Sequence, residues 1–374
     1  MPERDADRLE LANQIRLALG IENELTRPQA RAYVRCLQET WQVQTIAWNE
    51  RDTATQLKDA RRLLHAARIF GSIEGAESPH AIDCYRRAGE IFEWLARAND
   101  AVRKVIPIEL LAGGAYQLGG LPAMASGLLS QIDSDHEGVR LYKSFLQADF
   151  DGVIQRAADF WGTYPNLTSA EAANKLIEAL RGDVEGPGLI WAVTIELIRC
   201  LGLIADSLRR GDDARLEAAL SKLHALDELA DAIFSHDAAL VIGIMRQVAD
   251  RFVSASVYNP LRKLAEIRPT QTARLLRYGR VQYNRGRGIL WTSQQHGVER
   301  LLQESNFALC TPTGSGKTLV ANLALIKELL LCEPSEGLGR LALYIVPSRA
   351  LAGEVEAKLD LSRFLSGPLR AILS

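Results

Sequence analysis

The chain has 374 residues, of which 47% are hydrophobic and 24% charged, and a net charge of −2. That length favours two or three globular domains, and the near-neutral balance argues neither for nor against a nucleic-acid partner. The five cysteines (Cys36, Cys84, Cys200, Cys310 and Cys332) are scattered with no Cys-x-x-Cys pair, and the six histidines are equally dispersed. This pattern excludes a zinc module or a disulfide framework and reads as reduced thiols of a cytoplasmic protein. Residues 1–20 are too charged for a signal peptide, and the most apolar stretch, Leu189 to Ala205, carries Glu196 and Arg199. It reads as a buried helix, not a membrane span.

In chain order, residues 1–260 read as an irregular α-helical domain. Ser78 is a good N-cap with Pro79 at the first helical position, and Tyr85, Ala88, Phe92 and Leu95 then recur at helical spacing. Thr168 and Glu171 form a capping-box pattern, while Gly119-Gly120, Gly186-Pro187-Gly188 and Gly211-Asp212 are breaks. Gly113, Tyr116, Gly120 and Ala125 have the spacing of a tetratricopeptide helix pair, but no 34-residue period supports a repeat array. Such a domain suits a docking surface for a protein partner or a brace for the C-terminal part of the chain; the alternative is a fold-stabilising extension with no separate role.

Residues 261–287 read as a basic linker. Arg262, Lys263, Arg268, Arg274, Arg277, Arg280, Arg285 and Arg287 are opposed only by Glu266, with Tyr278 and Tyr283 interleaved. Arginines beside aromatic faces suit phosphate contact and base stacking, with Arg280, Arg285 and Arg287 as candidates. The alternative is a solvated segment pairing with acidic helices.

Residues 288–374 change pattern. The apolar run Phe307-Ala308-Leu309-Cys310 reads as a strand. It leads into Thr311-Pro312-Thr313-Gly314-Ser315-Gly316-Lys317-Thr318 and then into an apolar-periodic helix, Leu319 to Leu331. Strand, glycine-rich turn and helix in that order are the context of a P-loop, although Thr311 stands where the first glycine is usual. The amides of Thr313, Gly314, Ser315 and Gly316 would cradle phosphates at a helix N-terminus, Lys317 would reach the β- and γ-phosphates, and Thr318 would ligand Mg2+. The pattern is that of a nucleoside triphosphate site. A second apolar run, Leu341 to Val346, leads into Pro347-Ser348-Arg349-Ala350-Leu351-Ala352. A helix over 353–361 and a short strand over 369–373 complete a partial parallel, doubly wound α/β sheet of RecA-like type.

The P-loop core resembles motif I of superfamily-2 helicases. Leu290-Trp291-Thr292-Ser293-Gln294, with Gln294 standing 23 residues before Lys317, resembles the Q-motif segment of DExH helicases, with Thr292 in place of the usual proline. The resemblance implies that Gln294 reads adenine, and Gln295 is the neighbouring candidate. Pro347 to Ala352 resembles motif Ia, which implies that Ser348 and Arg349 contact a nucleic-acid backbone.

Together these segments are similar to the N-terminal part of an ATP-dependent DExH helicase of Lhr-like type. With the long helical extension, the chain also resembles helicase subunits of Hachiman-type antiphage systems. Implied are ATP and Mg2+ as ligands, a nucleic-acid partner with DNA favoured over RNA, and a protein partner at the helical domain. No Asp-Glu-x-His box follows Arg349, so the expectation is the N-terminal portion of a longer helicase, inactive in hydrolysis by itself. The rival reading is a helical scaffold whose nucleotide site only binds.

Overall fold

The computed structural model describes residues 2–19, 50–75, 77–97, 107–169, 187–233, 236–303, 306–310 and 316–331, with positions 30, 31, 34, 171, 175 and 345 besides. It divides into two compact units, one of residues 1–207 and 213–251, the other of residues 208–212 and 252–374.

The first unit is built from α1 (Pro2–Ala18), α2 (Glu50–Glu74), α3 (Pro79–Ala96), α4 (Ile108–Leu118), α5 (Pro122–Ser130), α6 (Glu137–Leu146) and α7 (Phe150–Thr163). To these it adds most of α8 (Pro187–Arg210), α9 (Asp213–Ile233) and most of α10 (His236–Ser254). Along the chain α2 packs on α3, α3 on α4, α4 on α5 and α6 on α7, as neighbours in helical hairpins do. Ser78 caps α3 by accepting the Ala81 amide at 3.2 Å, with Pro79 in the first turn. Such a cap is worth about 1 kcal/mol. The four positions read as one face of this helix (Tyr85, Ala88, Phe92 and Leu95) are all buried.

The tetratricopeptide-like spacing falls on the α4–α5 pair. A Cβ on Gly113 would stand 2.6 Å from the Leu129 side chain, so the absence of one lets α4 and α5 approach. Tyr116 is fully buried, with its hydroxyl donating to Glu93 at 2.5 Å. The apolar stretch from Leu189 lies on α8, where Ile195, Leu197, Ile198, Leu201 and Ile204 are buried among other side chains. No helix among the described residues is long and apolar enough to cross a membrane.

The second unit contains α11 (Tyr258–Ile267), α12 (Thr272–Asn284), α13 (Thr292–Gln303) and α14 (Lys317–Ile326), the last running into one π-helical turn, Lys327–Leu331. Its centre is a tyrosine cluster. The Tyr258 and Tyr283 rings stack with centroids 5.4 Å apart, and the Ser256 and Tyr283 hydroxyls are 2.9 Å apart. Gly279 and Gly288 lie where a Cβ would overlap these two rings, so they admit the tyrosines rather than loosen the chain.

The fold class expected for residues 288–374 requires correction. Among the described residues there is no strand and no parallel sheet; the only ladder contact is an isolated antiparallel bridge between Ser256 and Ile289. Phe307 to Cys310, read as the strand before the loop, has no regular secondary structure. The reason is that a run of apolar residues shows tolerance of burial, whereas a strand exists only where a neighbour accepts and donates its ladder bonds. The apolar run from Leu341 and the segment 369–373 lie outside the described residues, apart from Ile345, which is exposed and without regular structure. The helix expected over 353–361 also lies outside them.

Candidate functional site

Gly316 is the pivot of the candidate site. It sits at the N-cap of α14 with φ 74° and ψ 26°, a left-handed conformation that glycine adopts without the penalty a Cβ imposes. Lys317 and Thr318 follow as the first two residues of the helix, both half-buried. Behind them Leu319, Val320, Leu323 and Ile326 anchor the helix in the unit's core. The helix therefore presents the positive end of its dipole at the same end as Lys317 and Thr318.

Gln294 closes this end from the side. It is buried in the first turn of α13, 8% exposed. Its Nε2 donates to the Gly316 carbonyl at 3.1 Å, and its Oε1 accepts the Trp291 amide at 2.9 Å. A Cβ at position 316 would overlap Gln294 Nε2, so the glycine is required by packing as well as by φ. Gln295, the neighbouring candidate, points elsewhere: its Nε2 donates to the Leu290 carbonyl at 3.4 Å.

The approach of α13 to α14 rests on Gly297, where a Cβ would come within 3.1 Å of Val320 and 3.3 Å of Leu309. The far ends are tied as well. Lys327 Nζ donates to the Leu301 carbonyl at 2.7 Å, which satisfies the C-terminus of α13. The α13 N-terminus is fixed through Leu290, whose amide donates to the Ala255 carbonyl at 2.7 Å, and through Gly288, whose carbonyl accepts the Val257 amide at 2.8 Å.

The basic segment is helical over much of its length. Arg274, Arg277 and Arg280 lie exposed on α12, and Arg285 and Arg287 are exposed just after it. Tyr278 and Tyr283 are only 3% and 8% exposed, so the base-stacking role read from their interleaving is not available to them. Burial pushes the Tyr278 hydroxyl up to about 12, with the Asn322 side chain opposing the shift. Arg262 instead lies over the Tyr258 ring at 5.7 Å.

Thr313, Gly314 and Ser315 of the loop lie outside the described residues, as do Ser348 and Arg349. Gln294, Gly316, Lys317 and Thr318 are brought to one end of α14; Arg280, Arg285 and Arg287 are exposed positions on and after α12. The bond from Gln294 to Gly316 was not legible in the sequence, because no spacing rule says which backbone group a glutamine amide meets. Cys84 and Cys200 are buried, which raises their thiols to about 12 and about 11, whereas Cys310 is exposed.

Comparison with known proteins bears on this arrangement. Residues 291–370 match the family described as DEAD/DEAH box helicase. The chain is also 23% identical over 286 residues to Hachiman protein HamB of Bacillus cereus, an alignment covering 76% of this chain and 24% of that protein. The chain thus spans about a quarter of the length of that relative. The segment from Trp291 onward, which contains Gln294, Gly316, Lys317 and Thr318, is helicase-like in sequence.

Proposed function

We propose that this chain is the ATP-binding N-terminal portion of a superfamily-2 nucleic-acid helicase of the Lhr-like DExH type, working in antiphage defence. The observation that carries the reading is the left-handed Gly316 at the head of α14, held by the buried amide of Gln294. In this reading the amides of Thr313, Gly314, Ser315 and Gly316 receive the phosphates of ATP, and the Lys317 ammonium neutralises the outer ones. The Thr318 hydroxyl is a ligand for Mg2+. Bound ATP with its magnesium ion supplies the transferable phosphoryl group.

Gln294 can serve adenine without releasing Gly316. A primary amide has two N–H donors and two acceptor lone pairs, and Gly316 and Trp291 use one of each. The second pair is the complement of an adenine edge. Ser348 and Arg349 are assigned to a nucleic-acid backbone, with Arg280, Arg285 and Arg287 as an added cationic surface, and DNA is favoured over RNA. The complete protein, in this proposal, couples ATP hydrolysis to movement along the strand in the cytoplasm, and the helical unit docks a protein partner.

The test is Mg2+-dependent ATP binding by this chain and by Lys317→Ala. Loss of binding in the variant, with its melting temperature unchanged, supports the proposal. Equal binding in both proteins removes it.

A further inference from the structure

The first unit holds a cavity of about 370 Å³ that the helicase reading does not use. Its volume lies within the range of small-molecule sites. One wall is a face of α2 carrying Lys58, Arg61, Arg62, His65 and Arg68. These positions recur at helical spacing, so the basic groups run along one side of the helix for about 15 Å. The opposite wall and the floor are largely aliphatic, with Ile15, Leu240 and Ile244 among them. No acidic side chain lines the cavity among the described residues.

Two carboxylates outside the lining pair with members of this wall, Asp227 with Arg68 and Asp59 with Arg62. Asp227 is buried and already receives both Arg68 and Arg246, the latter at 2.7 Å. Asp59 lies 3.9 Å from Arg62, at the limit of an ion pair. Burial raises the Asp59 carboxyl from its ordinary value, against the pull of Arg62 and Lys58.

A row of cations beside an aliphatic floor matches a ligand with an anionic head and a less polar body. Guanidinium groups suit phosphate best, because their planar donors meet two oxygens at once. We propose that the cavity between α1, α2 and α10 binds a phosphate group, carried by a small phosphorylated ligand such as a nucleotide or by a single-stranded nucleic acid. The proposal needs no part of the P-loop. It shares with the helicase proposal only the choice of a nucleic-acid strand as one phosphate source.

The experiment uses the full chain carrying Lys317→Ala, with and without the further pair Lys58→Glu and Arg62→Glu. Both of these residues are exposed, so charge reversal leaves the core intact. The probes are pyrophosphate, a nucleoside monophosphate and a short fluorescein-labelled oligothymidylate. We expect at least a tenfold loss of affinity for a phosphate probe on charge reversal. If pyrophosphate and the monophosphate bind and the loss falls on them, the source is a small ligand. If only the oligonucleotide binds and loses affinity, and its salt slope falls, the source is a strand.

The proposal is overturned if no probe shows affinity dependent on Lys58 and Arg62. It is equally overturned if poly-glutamate displaces the bound probe as well as pyrophosphate does at equal charge, since the site would then accept an acidic protein segment. The P-loop reading is judged separately, by ATP binding to the chain with Lys317 intact, so either proposal can fail alone.

Discussion

The side-chain amide of Gln294 donates to the carbonyl of Gly316 at 3.1 Å, joining the first turn of α13 to the residue that heads α14. The same amide accepts the Trp291 backbone N–H, so one buried group fixes both the start of its own helix and the exit of the glycine-rich loop. A nucleotide contact made by Gln294 would therefore be mechanically linked to the loop that receives phosphate.

Gln294→Ala should act on stability and on ligand binding together. Truncation leaves the Trp291 amide and the Gly316 carbonyl without this partner, a loss of about 1–3 kcal/mol for a buried polar group. Thermal unfolding should show the second unit melting earlier, and ATP affinity should fall about tenfold or more. A variant with normal ATP affinity but lowered stability would restrict Gln294 to a structural role.

Gly316→Ala is expected to be more damaging than its size suggests. The left-handed backbone costs a non-glycine residue about 1 kcal/mol, and the new methyl overlaps Gln294 Nε2. Either the loop or α13 must shift. Chemical denaturation should report a loss of about 2 kcal/mol or more relative to the parent chain, and ATP binding should be abolished. The double variant Gly316→Ala with Gln294→Ala relieves the overlap. It should recover part of the stability without restoring binding, a non-additivity that a mutant cycle reads directly.

The first unit should lose stability on mild acidification. His136 precedes α6, and burial lowers its pKa from 6.5, with Glu137 opposing the shift. A lowered histidine pKa means that the unfolded chain takes up the proton first. The stability is therefore fully present above about 6.5 and is lost as pH falls from there through the lower folded value. His136→Asn should flatten the pH dependence of the denaturation midpoint over that window. An unchanged slope would show that another group controls it.

The helical character of the N-terminal part was written plainly in the sequence. Ser78 and Pro79 announce the start of α3, and the buried face from Tyr85 to Leu95 follows the helical period. These signals are local, and local signals survive folding. The errors arose where partners are distant. Phe307 to Cys310 has strand composition, but composition cannot supply a ladder neighbour. Tyr278 and Tyr283 looked like stacking platforms among arginines, yet at helical spacing they face inward while the arginines face out. The cation row of α2 is legible in principle from the spacing of Lys58, Arg61 or Arg62, His65 and Arg68. Asp59 and the apolar residues Ala60, Leu63, Leu64, Ala66 and Ala67 are interspersed among its members, so no unbroken basic run marks it.

The exposed arginines on and after α12 remain the clearest nucleic-acid candidates outside the loop, now as phosphate contacts without aromatic help. Replacing Arg280, Arg285 and Arg287 together with Ala removes three charges from exposed positions, so the fold should be unaffected. Each lost single-strand phosphate contact should reduce the slope of log affinity against log salt by about 0.7, giving a total change of about 2 if all three engage the strand. Affinity should fall similarly for all sequences, because phosphate contacts carry no base information. Fluorescence anisotropy with single-stranded oligonucleotides across a salt series measures both quantities. A fall in affinity with the slope intact would mean that the arginines act indirectly, by shaping the surface rather than by displacing counterions. An unchanged affinity and slope would return this segment to an ordinary solvated helix and leave strand contact to other residues.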